Sequence, residues 1–182
     1  MHEFAELVRK LGARGIGYAI LSMIVEREPI VVVVQDDTDK ELISILLDEI
    51  KSHFELRRSP TSDIKLANFE VITKEEYFKH WKEFAGKRLI FVVDDRNLIC
   101  PALDYLERII EEVILSKARD PIGRLAIRLG DVLSPLEVAK DYYEQFKQGK
   151  IDAKKLHSML ESRFPKKDDA YLALEILKTL YR

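Results

Sequence analysis

The sequence has a single cysteine, Cys100, so no internal disulfide can brace the fold. Its four histidines (His2, His53, His80 and His157) are scattered without the spacing of a Cys/His zinc site. No apolar run approaches the roughly 18 residues that a membrane span needs, and Glu3 and Glu6 interrupt the stretch that a signal peptide would require. An excess of one charge is also missing. The 30 Lys and Arg against 32 Asp and Glu leave a formal net charge of −2, without the broad positive field on which general nucleic-acid binding depends. Asparagine and glutamine are scarce, at two and three residues, a bias away from heat-labile amides that suits a thermophile. No Gly-rich phosphate loop, Ser/His/Asp set or HExxH signature is present. These absences lead us to expect a soluble, cytoplasmic protein that does not engage a membrane.

What is present is enough for one medium domain, or for a domain with a small appendage: 182 residues, 47% hydrophobic and 34% charged. Phe4, Leu7, Val8 and Leu11 have helical spacing, ended by Gly12 and Gly15. Residues 16–25 (IGYAILSMIV) and 30–34 (IVVVV) are rich in β-branched side chains and flank the polar tetrad Glu26-Arg27-Glu28-Pro29, which reads as a β-hairpin. Thr38 and Glu41 have capping-box spacing ahead of a helix that runs to about His53. Ile64–Ile72 reads as a third strand and Leu89–Val93 as a fourth, and between them Thr73 and Glu76 repeat the capping box before Tyr77, Phe78, Trp81 and Phe84. That aromatic stripe would suit nucleobase stacking, but at helical spacing it reads first as core packing.

From Pro101 the pattern is wholly helical. A long helix carries Leu103, Leu106, Ile109, Ile110, Val113 and Ile114, and a shorter one covers about Ile122–Leu129. A helix opens at Ser134-Pro135-Leu136-Glu137, another follows Asp152 to Arg163, and a last one covers about Asp169–Tyr181. The expected fold is therefore α+β: residues 1–97 form a mixed four-stranded sheet with helices, and residues 98–182 form a helical region.

The segment Asn68-Phe69-Glu70-Val71-Ile72-Thr73-Lys74-Glu75-Glu76-Tyr77, within this element order, resembles the third core strand and following helix start of small nucleotidyltransferase-fold proteins. In that family a first strand ends in Gly-Ser, an Asp-x-Asp pair opens the second strand, and a third carboxylate lies on the third. Two carboxylates at i and i+2 on a strand face the same way and can share a divalent metal that binds nucleotide phosphates. Here Leu21-Ser22 stands in place of Gly-Ser, Glu26-Arg27-Glu28 in place of the acidic pair, and Glu70 in place of the third carboxylate. The resemblance thus implies a degenerate, non-catalytic member that serves as a binding or interaction protein. If metal chemistry is retained as a metal-dependent nucleotidyltransferase, it implies Mg²⁺ at Glu26, Glu28 and Glu70. Read as ordinary residues, Glu26 and Glu28 belong to a solvated turn and Glu70 to the outer side of a half-exposed strand.

Two other acidic pairs, Asp36-Asp37 and Asp94-Asp95, follow strand-like runs, where they are either Mg²⁺ ligands or helix caps and turn residues. Basic residues gather at Arg57, Arg58 and Lys65, at Lys79, Lys82, Lys87 and Arg88, and at Lys117, Arg119, Arg124 and Arg128. Arg124 and Arg128 share a helix face, which could meet phosphates if the helical region bound nucleic acid, although the balanced charge does not favour that. The wide apolar coverage of the helix after Pro101 leads us to expect a homodimer through the helical half, unless the later helices cover it within one chain; a protein partner is a separate expectation.

Overall fold

The computed structural model describes residues 2–57, 66–92, 100–164 and 166–180. At its centre β1 (Ile30–Val34) lies between β2 (Phe69–Thr73) and β3 (Arg88–Phe91), parallel to both, so that Val32 stands opposite Val71 on one side and Ile90 on the other. Around this sheet run α1 (His2–Leu11), α2 (Ala13–Val25), α3 (Asp37–Arg57), α4 (Lys74–Lys79), α5 (Pro101–Ile114), α6 (Pro121–Lys147), α7 (Ala153–Arg163) and α8 (Lys167–Leu180). The class is α+β, mostly helical, and among the described residues the sheet has three parallel strands, not four in a mixed arrangement.

The missing strand is α2. The segment expected to form the first arm of a hairpin is a helix in which Ile16, Ala19, Ile20, Leu21 and Met23 are all buried. A helix covered on every side loses its polar stripe, so its hydrophobic run imitates that of a buried strand. Ala, Leu and Met, all strong helix formers, were the residues that distinguished it. Gly12, at φ 79, ends α1 by donating to the Val8 carbonyl and turns the chain into α2. Gly15 then lets α2 come close to the end of β3, since a Cβ there would lie 3.3 Å from Val92 Cγ1.

Each face of the sheet has its own cover. Ile30, Val32, Val34, Val71, Ile90 and Val92 point into one large core shared with α2, α3, α5, α6 and α8. That core joins residues on both sides of position 97, from Leu7 to Leu177. The other face, with Val31, Val33 and Ile72, meets a small cluster completed by Phe84 and by the half-buried Tyr77 and Leu89. Burial of this kind contributes roughly 1.5–3 kcal/mol for each fully covered Val, Leu, Ile or Phe, so the first face holds most of the hydrophobic stabilisation.

Several boundaries follow sequence signals and two do not. Thr73 Oγ1 accepts from the Glu76 amide, and Asp152 Oδ1 accepts from the Lys155 amide, as their cap positions imply. The cap of α3, by contrast, is Asp36, whose Oδ1 accepts from the Asp39 amide, two residues ahead of the expected Thr38. The helix start expected at Ser134-Pro135 lies inside α6, which begins instead at Asp120, where Oδ1 accepts from the Gly123 amide. Leu125, Leu129, Leu136 and Ala139 form one buried face that runs past Pro135, and packing along it outweighs the hydrogen bond that proline cannot make. Of the expected strands at 64–72 and 89–93, Ile64, Lys65 and Val93 lie outside the described residues.

Candidate functional site

The three carboxylates proposed for metal are held apart by their elements. Glu26 caps the C-terminus of α2, and its carboxylate is 3.3 Å from Arg88 Nε on β3. Glu28 is exposed in the connection from α2 to β1, which is not a hairpin turn. Glu70 is exposed on β2, opposite Val31. Ser22, the expected counterpart of a strand-end serine, lies within α2 and donates to the Tyr18 carbonyl. Among the described residues no three Asp, Glu, His or Cys side chains come together at distances suited to a metal ion.

The carboxyl end of β1 carries a second acidic group. Lys10, at the end of α1, lies 2.9 Å from both Asp36 Oδ2 and Asp39 Oδ1. The Asp36 carboxyl is held below its ordinary pKa, first by the Asp39 amide that it caps and next by Lys10. Hydrogen bonds from Lys10 to Asp36 and then Asp39 raise the ammonium above its own ordinary value. Asp39 is 2% exposed, and its Oδ2 has no hydrogen-bond partner. The pair therefore caps α3 and ties α1 to it, the ordinary structural role for acids in this place. Asp94 and Asp95 lie outside the described residues.

The third arrangement is on the second face of the sheet. Sequence spacing placed Tyr77, Phe78, Trp81 and Phe84 in the core, but only Phe84 of the four is buried, while Phe78 is 69% and Trp81 57% exposed. The reason is the length of α4. It ends at Lys79, and the chain continues through turns to β3, so the stripe has no helix to sustain it. Phe78 would in any case point roughly 100° round a helix from Tyr77, a signal that was readable. Tyr77 links the rings that do meet: its centroid is 5.5 Å from Phe78, 6.4 Å from Phe84 and, edge-on, 5.6 Å from Phe91 of β3, itself 39% exposed.

Lysines sit over this layer. Lys82 Nζ is 5.7 Å from the Trp81 ring centre and Lys87 Nζ 5.5 Å from that of Phe84. Of the nearby acids, Glu75 pairs with Lys79 at 3.0 Å and Glu76 with Lys40 at 2.8 Å; Glu83, 3.6 Å from the His80 ring, and Glu70, opposite Val31 on this face, are exposed. Cation over ring is attractive by about 0.5–1 kcal/mol where exposed, and it leaves both ammoniums free to meet an anion as well. Composition could not reveal this group, because the lysines are balanced in number by those same acids.

In the helical region, Arg128 lies 3.2 Å from Glu112 of α5, so half of the expected Arg124 and Arg128 face is an ion pair between helices. Lys140 of α6 is buried and donates to the Val25 carbonyl at the end of α2. Desolvation, with Arg27 nearby, pushes its pKa down. No helix among the described residues is long and apolar enough to cross a membrane. Compared with protein-family models, curated proteins and solved structures, the chain matches none.

Proposed function

We propose that the protein is a non-catalytic binding protein that engages a macromolecular partner through the second face of its sheet. The observation that carries this reading is the exposure of Phe78 and of Trp81 three residues on, with the half-exposed Phe91 joined to Phe78 through Tyr77. Large aromatic side chains gathered at a surface cost solvation, and such patches mark sites of interaction. The reading takes no support from the nucleotidyltransferase resemblance, because the first strand that resemblance needs is the helix α2 here. A metal-dependent transferase would need Glu26 to leave Arg88 and join Glu28 and Glu70, and the ion pair of Glu26 favours binding over that chemistry.

The test is a comparison of the immobilised native chain with the double variant Phe78→Ser, Trp81→Ser in extracts of the source cells. Both side chains are exposed, so the variant keeps its thermal transition. A macromolecule retained by the native chain and lost by the variant is the expected result. Equal retention by the two would overturn the reading.

A further inference from the structure

Resting on that reading of the face, we infer that its partner is single-stranded nucleic acid, with bases stacking on Trp81 and Phe78 and phosphates meeting Lys82 and Lys87. Three features narrow the choice. First, proteins that hold single strands without strict sequence preference combine exposed rings, on which any base can stack, with cations that follow the backbone. Here Trp81, Lys82 and Lys87 lie in the short connection between α4 and β3 and Phe78 in α4 just before it, with Lys82 held over Trp81 and Lys87 over the buried Phe84. Second, the cations have no carboxylate partner among the described residues, while Glu75 and Glu76 are already in ion pairs. An incoming phosphate therefore has no internal salt bridge to displace at Lys82 or Lys87. Third, the rival surfaces fit less well. A second copy would bring the same lysines towards one another if the face paired with itself. An anionic membrane is usually engaged by a long amphipathic helix lying in the interface, whereas α4 has six residues.

The balanced charge of the chain does not oppose this inference, because it concerns the far field. Contacts from two lysines give weak and salt-sensitive binding, with stacking as the larger contribution. The face would take an unstructured strand in preference to a duplex, whose bases are stacked on one another and cannot reach the rings.

Trp81 is the single tryptophan of the chain, so its fluorescence reports directly on the proposed contact. The experiment titrates the full-length protein with oligo(dT) and oligo(U), and in parallel with a duplex, with polyphosphate, and with phosphatidylserine vesicles. The expected result is quenching of Trp81 by the single strands but not by polyphosphate. Affinity should fall about 25-fold for a roughly tenfold rise in salt if two phosphates are contacted. The double variant Lys82→Glu, Lys87→Glu should keep its thermal transition and lose at least tenfold in affinity for labelled oligo(dT). No quenching and no binding by oligonucleotides at low salt would overturn the inference, as would equal binding of polyphosphate, preference for the vesicles, or unchanged affinity in the lysine variant. If oligonucleotides fail while the Phe78→Ser, Trp81→Ser variant still loses a retained macromolecule, the partner class is wrong and the binding face stands. If both fail, the reading of the face fails with it.

Discussion

Gly17 of α2 faces Leu106 of α5 with room for one methyl group: a Cβ at position 17 would lie 3.5 Å from Leu106 Cβ and 3.6 Å from Ile110 Cδ1. Both are ordinary contact distances. Gly17→Ala should therefore stabilise the protein, since alanine in a helix interior is favoured over glycine by about 1 kcal/mol. The same change at Gly12, which sits at φ 79, should destabilise by about 1–2 kcal/mol. Urea denaturation of the two variants measures the contrast, and a gain at both positions would contradict the geometry.

Ile110 is fully buried, on a helix whose other apolar residues are covered within the chain by α1, α2, α6 and α8. Of the apolar residues that prompted the expectation of a dimer through this helix, Leu103 to Ile114 are covered within the chain, while Leu115 is 40% exposed. Ile110→Ala should cost about 2–5 kcal/mol. Ile110→Asp should abolish the cooperative transition in urea; a folded monomer released from a dimer by that change would show that α5 is an interface after all.

The contact of Lys10 with Asp36 makes stability depend on pH at both extremes. The folded pKa of Asp36 is depressed, so its contribution is present above the unfolded value and disappears as pH falls through the folded one. Lys10 is raised, so its contribution is present below the unfolded value and disappears as pH rises through the folded one. Asp36→Asn keeps an acceptor for the cap and removes the charge, and should flatten the acid side of the stability profile. Carboxyl NMR should place the Asp36 midpoint below that of an unfolded reference.

Asp120 and Gly123 share one cap, and a Cβ at position 123 would fall 2.3 Å from Asp120 Oδ2. Asp120→Ala should cost about 1 kcal/mol. Gly123→Ala gains helix propensity but displaces the capping carboxylate, so its effect should be more favourable when Asp120 is already alanine. Additive effects in a double-mutant cycle would show that the two residues do not interact.

How much of this was legible depends on where the signal is stored. Thr73 and Asp152 are local, each set by a side chain and an amide three residues on, and the start of α5 is set by proline at its first position; the sequence alone placed all three. The nature of α2 and the continuity of α6 through Pro135 are decided by what packs against them from distant parts of the chain. Glu26 and Glu70 had residue type and spacing in their favour, but the helix in place of a first strand put Glu26 at a helix end beside Arg88. At the aromatic face, spacing predicted burial because it presumed a helix long enough to have a face; six residues of α4 were too few.

The partnership of α2 with α5 and with Lys140 also bears on how the chain is made. A ribosome releases α2 long before the residues that cover it, so through most of synthesis Ile16, Ile20 and Met23 have no finished core to enter. Strands β1 to β3 emerge into the same interval, with one face waiting for helices from the C-terminal half. The nascent chain therefore carries uncovered apolar surface until α5, α6 and α8 have emerged, and its early helices are completed by the segments synthesised last.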